Sequence, residues 1–96
     1  MRNYQKGANA EREAKKLLEM VGYDVIRSAG SKGMWDLVAC YPTHIRLIQV
    51  KVEGAMTPGE YEAIKEYKVS GFCTKEVWTR LAGKKAEERW DVEVVK

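Results

Sequence analysis

The 96-residue chain is most informative first for what it has little of: one histidine, one phenylalanine, two prolines and two cysteines. A single His44 excludes a His-rich metal cage and any site built on several imidazoles. Cys40 and Cys73 stand far apart without CxxC spacing or a nearby His set, so neither a zinc site nor a redox pair is indicated. The expectation is two buried or half-buried thiols in a reducing compartment. No run approaches the ~18 apolar residues of a membrane span. The opening MRNYQKGANAERE also lacks the apolar segment of a signal peptide, so a cytoplasmic location with no membrane partner is expected.

What is present belongs to a globular domain: 45% apolar and 32% charged residues, with a formal charge of +3. That surplus is compatible with a polyanionic partner without requiring one. A chain this short buries only about two-thirds of the surface its unfolded form exposes, so one domain over residues 1–96 is expected and a second copy would help it. No internal repeat or linker interrupts it.

Residues 1–7, with Arg2 and Lys6, read as a mobile basic arm. Ala10, Ala14, Leu17, Leu18 and Val21 then recur at helical spacing up to Gly22, a helix stop. Glu11 falls at the border of that stripe, beside Leu18, while Lys15 and Lys16 point outward. YDVIRS predicts a first strand, SAGSKG a loop able to offer hydroxyls and N–H groups to phosphate, and WDLVACY a second strand. HIRLIQVKV predicts a third, with Ile45, Leu47, Gln49 and Lys51 on one face and Arg46, Ile48, Val50 and Val52 on the other. His44 is expected as a solvated turn residue, with a general base as the alternative. Thr57-Pro58-x-Glu60 is a helix start, predicting a helix to about Val69 whose Tyr61, Ile64, Tyr67 and Val69 form an apolar stripe. Residues 72–82 and WDVEVV predict two last strands. The order α-β-β-β-α-β-β implies an α/β sandwich around a central mixed sheet.

Asp36 on one strand, then Gln49-x-Lys51 on the next, is an acid followed by an acid-or-amide and a lysine. A polar pair in the middle of an apolar strand is costly to bury unless it is satisfied or used. The pattern suggests metal-dependent phosphodiester chemistry: Asp36 and Gln49 hold a divalent cation that activates water, and Lys51 offsets charge developing on a phosphate.

KG-x-x-AERE, then RSAGSKG, then Asp-Leu-Val-Ala, then x-Val-Lys, in this order and spacing, resembles the archaeal-type Holliday junction resolvases of the PD-(D/E)xK nuclease superfamily, which also occur in phages. The resemblance covers about the first 53 residues. It implies a restriction-endonuclease-like three-layer sandwich whose central mixed β-sheet is flanked by helices. It also implies a homodimer that cuts four-way DNA junctions with Mg²⁺ or Mn²⁺. Carried onto this chain, it makes Glu11 the helix carboxylate of the site, Asp36 the principal metal ligand and Lys51 the motif lysine. Arg2, Lys6, Arg12, Arg27, Ser31 and Lys32 become contacts to the DNA backbone. Gln49 stands where the family usually has Glu: its amide oxygen can ligate a cation but brings no charge. Tyr61, Ile64, Tyr67, Phe72 and Trp78 are candidates for the dimer surface. Two alternatives share the residues: a nuclease of the same fold acting on flaps or duplex, and a catalytically weak module that holds branched DNA.

Overall fold

The computed structural model describes residues 3–28, 34–85 and 88–96, with backbone alone for residues 3–7. The elements are α1 (Asn3–Met20), β1 (Asp24–Arg27), β2 (Leu37–Tyr41), β3 (His44–Val52), α2 (Pro58–Glu66), β4 (Cys73–Arg80) and β5 (Trp90–Val95). The strands form one sheet in the order β1-β2-β3-β4-β5. Every neighbouring pair is antiparallel except β3 and β4, which run parallel because α2 carries the chain back across the sheet between them.

Each helix is held at its ends by local chemistry. α1 stops where Gly22 takes a positive φ of 103°. There the N–H of Gly22 reaches Glu19 O at 3.1 Å and the N–H of Tyr23 reaches Leu18 O at 3.1 Å, the paired bonds of a Schellman ending. α2 begins with a complete capping box, in which the Glu60 N–H bonds the Thr57 hydroxyl and the Glu60 carboxylate accepts from the Thr57 N–H.

The strand parity read from HIRLIQVKV sets the two faces. On one face the stripe Ala10, Ala14 and Leu18 of α1 packs on Val25, Leu37, Ala39, Ile48, Val50 and Trp78. The two alanines add little bulk, which lets the helix backbone approach the sheet. On the other face Ile64, the one buried residue of α2, packs with Val77 and Val95. Burying one such side chain contributes roughly 1.5–3 kcal/mol, so α2 is held by Ile64, by the partly buried Tyr61 packed beside it, by its cap and by the polar ties described below. Helices on both faces of a mixed five-stranded sheet give the three-layer α/β sandwich expected from the sequence. Among the described residues no helix is long and apolar enough to cross a membrane.

Four expectations change. Helix α1 already includes the backbone of residues 3–7, so that stretch is not an arm. Helix α2 ends at Glu66 rather than near residue 69. Tyr67 turns extended at ψ 124°, and Lys75 Nζ donates to Lys65 O at 2.8 Å and Tyr67 O at 2.9 Å, filling the terminal carbonyls from the sheet. His44 is no solvated turn residue. It opens β3 half-buried, with Nε2 2.7 Å from the Tyr23 hydroxyl. Finally, Ile64 at 0% exposure and Trp78 at 7% belong to the core and cannot form a surface between copies, whereas Tyr67 at 42% and Phe72 at 56% can.

Candidate active site

Leu37 pairs with Ile48 in the antiparallel register of β2 and β3. Asp36, the residue before β2, lies off that register, because its N–H bonds the same Ile48 that Leu37 faces. Side chains alternate along β3, so Gln49 and Lys51 share the face on which α2 lies. Asp36 is tied to β3 twice: its N–H donates to Ile48 O at 2.9 Å, and its Oδ2 accepts from the Val50 N–H at 2.8 Å. Gln49 turns its amide nitrogen to Met34 O at 3.0 Å, and a carbonyl can only accept, which fixes the amide orientation. Its Oε1 is then buried with no hydrogen-bond partner among the described residues. Lys51 meets α2, with Nζ 2.6 Å from Glu60 Oε2, close enough to Asp36 for its charge to act on that carboxyl.

Glu11 comes from α1 on the opposite face and is half-buried. Its Oε1 accepts from Arg27 Nε at 3.0 Å. Desolvation, and then the neighbouring charge of Asp36, raise the Glu11 carboxyl above the ordinary carboxylate range despite Arg27. Desolvation likewise raises Asp36, against the opposing pull of the Val50 N–H, Lys51 and Arg27. Glu60 moves the other way, lowered first by its hydrogen bond with Lys51. Two desolvated carboxyls raised despite Arg27 and Lys51, beside a buried acceptor oxygen without a donor, offer oxygens to a ligand of positive charge.

That donor set fits a divalent cation. Among the described residues no three His, Cys, Asp or Glu side chains cluster to hold one, so the ligands available here are carboxylates supplemented by the Gln49 amide oxygen. Hard oxygen donors of this kind suit Mg²⁺ or Mn²⁺.

Of the proposed DNA contacts, Arg12 is exposed on α1, 3.5 Å from Asn9 Oδ1, and Arg27 is half-buried in its bond to Glu11. Arg2, Ser31 and Lys32, and the side chain of Lys6, lie outside the described residues. Glu60 was legible in the sequence only as a helix cap. The distance between a helix cap and a strand lysine nine residues earlier depends on how the connection folds, which no local pattern encodes.

The model of the family described as archaeal Holliday junction resolvase (Hjc) matches residues 2–73. The chain is 50% identical over 48 residues to the crossover junction endodeoxyribonuclease Hjc of Methanocaldococcus jannaschii. That match spans 50% of this chain and 35% of the relative. Among solved structures, Archaeoglobus fulgidus Hjc, a Holliday junction resolvase, superposes with a TM-score of 0.70 at 22% identity, covering 93% of this chain and 72% of that one. At that identity the likeness carries the fold, while the match over residues 2–73 carries the kinship: this chain belongs to the archaeal Holliday junction resolvase family.

Proposed function

We propose that the protein is a structure-selective, metal-dependent endonuclease that resolves four-way DNA junctions by hydrolysing phosphodiester bonds. The observation that carries this reading is Asp36 held by its carboxylate on the Val50 N–H, between Gln49 and Lys51 along β3, with Gln49 Oε1 buried without a donor among the described residues. Family membership and the name of the M. jannaschii relative support it.

In this reading Asp36, Gln49 and Glu11 hold Mg²⁺ or Mn²⁺, which when bound polarises the scissile phosphate and makes water a competent nucleophile near neutral pH. Asp36 keeps its place through the Val50 N–H and Gln49 through Met34 O, so both oxygens are oriented before a ligand arrives. Lys51 supplies positive charge to the phosphate oxygens as charge builds on them. Arg27 orients Glu11 and, with Arg2, Lys6, Arg12, Ser31 and Lys32, meets the DNA backbone. Because such contacts go to phosphates, selectivity comes from DNA shape and affinity falls steeply with salt. Two equivalent strands of a junction call for two sites related by a two-fold axis, so the acting species is a homodimer, with exposed Tyr67 and Phe72 as candidates for the shared surface.

The test is nicking of a four-way junction, a flap and a linear duplex, with Mg²⁺ and with chelator. Paired cuts in the junction alone, dependent on the metal, are expected. Equal cutting of flap or duplex would replace the substrate, and junction binding without cutting under any divalent metal would reduce the chain to a binding module.

A further inference from the structure

Lys51 is the positive group that the proposed chemistry places at the scissile phosphate, yet its strand neighbour on the same face, Gln49, is uncharged. A lysine carries four flexible side-chain torsions and a compact, strongly hydrated charge, so holding it in one place requires a partner. The partner comes from another element. Glu60 Oε2 accepts from Lys51 Nζ at 2.6 Å, while Glu60 Oε1 accepts from the Thr57 N–H at 3.0 Å and the Thr57 hydroxyl at 3.1 Å. Glu60 is thus fixed by the capping box of α2 before it meets the lysine, and Lys51 is largely buried along its stem, at 17% side-chain exposure.

We propose that Glu60 is a positioning residue that holds the Lys51 ammonium in place beside Asp36 and Gln49, supplying from α2 the carboxylate that strand β3 lacks at position 49. The inference rests on the endonuclease reading for its consequence, and on the contact alone for its existence. It also gives the capping box a second role: the start of α2 is coupled to the site through one side chain that serves both.

Glu60→Gln isolates the charge, because Gln at this helix position still completes a capping box. Gln49→Glu then offers a carboxylate two residues from Lys51 on the same face, which a purely structural role for Glu60 would not reward. In metal-free protein, reductive methylation followed by mass spectrometry should show Lys51 labelled several-fold faster in Glu60→Gln, with the other lysines unchanged. At saturating Mg²⁺, Glu60→Gln should cut the four-way junction about 10-fold more slowly with affinity within about 2-fold, while in the Gln49→Glu background the same change should cost at most about 2-fold, a coupling of roughly 1 kcal/mol. Unchanged labelling of Lys51 would overturn the pairing. Equal rate losses in both backgrounds, or a loss that follows melting temperature, would overturn the positioning role and leave a helix cap. Wild-type protein that cuts no junction would instead overturn the endonuclease reading, and faster labelling of Lys51 in Glu60→Gln would then still support the pairing.

Discussion

Two of the polar clusters on the sheet are built on opposite terms. At Glu76, on the α1 face of β4, the carboxylate is 2% exposed and each oxygen has donors: Arg46 by two bonds of 2.8 Å, the Thr74 hydroxyl, and Trp78 Nε1 at 2.9 Å. Arg46 in turn lies between the rings of Tyr23 and Trp78, 5.3 Å and 5.5 Å from their centroids. At Asp36, just before β2, desolvation raises that carboxyl and Glu11's, and Gln49 Oε1 is buried without a partner among the described residues. Burial acts on both clusters, yet at Glu76 the donors outweigh desolvation and lower the carboxyl. Satisfied polar groups hold a fold in one arrangement, whereas unsatisfied ones at low dielectric are costly unless a ligand completes them. The contrast separates the cluster that builds the protein from the one that waits for something to bind.

The strongest way to break the comparison is to remove Glu76. Glu76→Ala leaves the half-buried Arg46 charge, the half-buried Thr74 hydroxyl and the buried Trp78 N–H without their acceptor, which costs about 3 kcal/mol, the low end for a broken buried pair. Thermal melts should show a fall of ten degrees or more in a domain this size, at about 4–8 °C per kcal/mol. An apolar pair, Arg46→Met with Glu76→Leu, should recover most of the loss, since it removes both charges together. A melting temperature for Glu76→Ala within 2 °C or so of wild type would show that the network is not structural.

The same operation at the other cluster should have the opposite sign on stability. Asp36→Asn keeps an acceptor for the Val50 N–H and removes a desolvated charge beside Glu11, so the metal-free protein should melt a few degrees higher. Cutting should fall about 10²-fold or more, as should cutting by Lys51→Ala, while junction affinity stays within a few-fold. Asp36→Asn that both melts lower and cuts like wild type would remove the site as drawn.

How much of this was legible beforehand depends on the range of each signal. The alternation in HIRLIQVKV placed Gln49 and Lys51 on one face and Ile48 and Val50 on the other, and the register agrees. The cap at Thr57 and the stop at Gly22 were local and read correctly. What failed was long-range. Glu76 and Arg46 lie 30 residues apart and meet only because β3 and β4 run parallel in one particular register, although a charge in the middle of the run FCTKEVW was itself a hint. The end of α2 was set by Lys75 reaching across from β4, so helical spacing through Val69 overran it. Ile64 and Trp78 looked like interface residues because apolar spacing is the same whether a face meets its own sheet or another molecule.

The two clusters also titrate in opposite senses. Glu76 is lowered in the fold, so its contribution is present above the ordinary carboxylate value and is lost as pH falls through its folded value. Glu11 and Asp36 are raised, so the protonated fold is favoured and that advantage, full below the ordinary carboxylate value, is lost as pH rises through their folded values. Saturating Mg²⁺ or Mn²⁺ should therefore raise the melting temperature at neutral pH, and progressively less as pH falls through the raised values of these carboxyls and the ligands protonate. In Asp36→Asn that metal effect should be largely lost at every pH. A metal-induced stabilisation of equal size at both ends of the range, or one unchanged by Asp36→Asn, would detach the raised carboxyls from metal binding.

The smallest expected effect gives the finest test, because it changes one group of the open cluster without removing it. Gln49 keeps its Nε2 on Met34 O and leaves Oε1 free, so as a ligand it contributes a dipole rather than a charge. Gln49→Glu places a full carboxylate on the same strand face. In the metal-free protein that adds a third acid near Asp36 and should lower the melting temperature; with metal it should reduce the concentration needed for half-maximal cutting several-fold and make Glu11 less critical. Gln49→Leu, which suits the strand but offers no oxygen, should raise that concentration or end activity. If Gln49 is a structural residue like Arg46, both substitutions will change the melting temperature while the metal titration of cutting stays where it was. That result would place Gln49 with the satisfied cluster and leave Asp36 to hold the cation with other ligands.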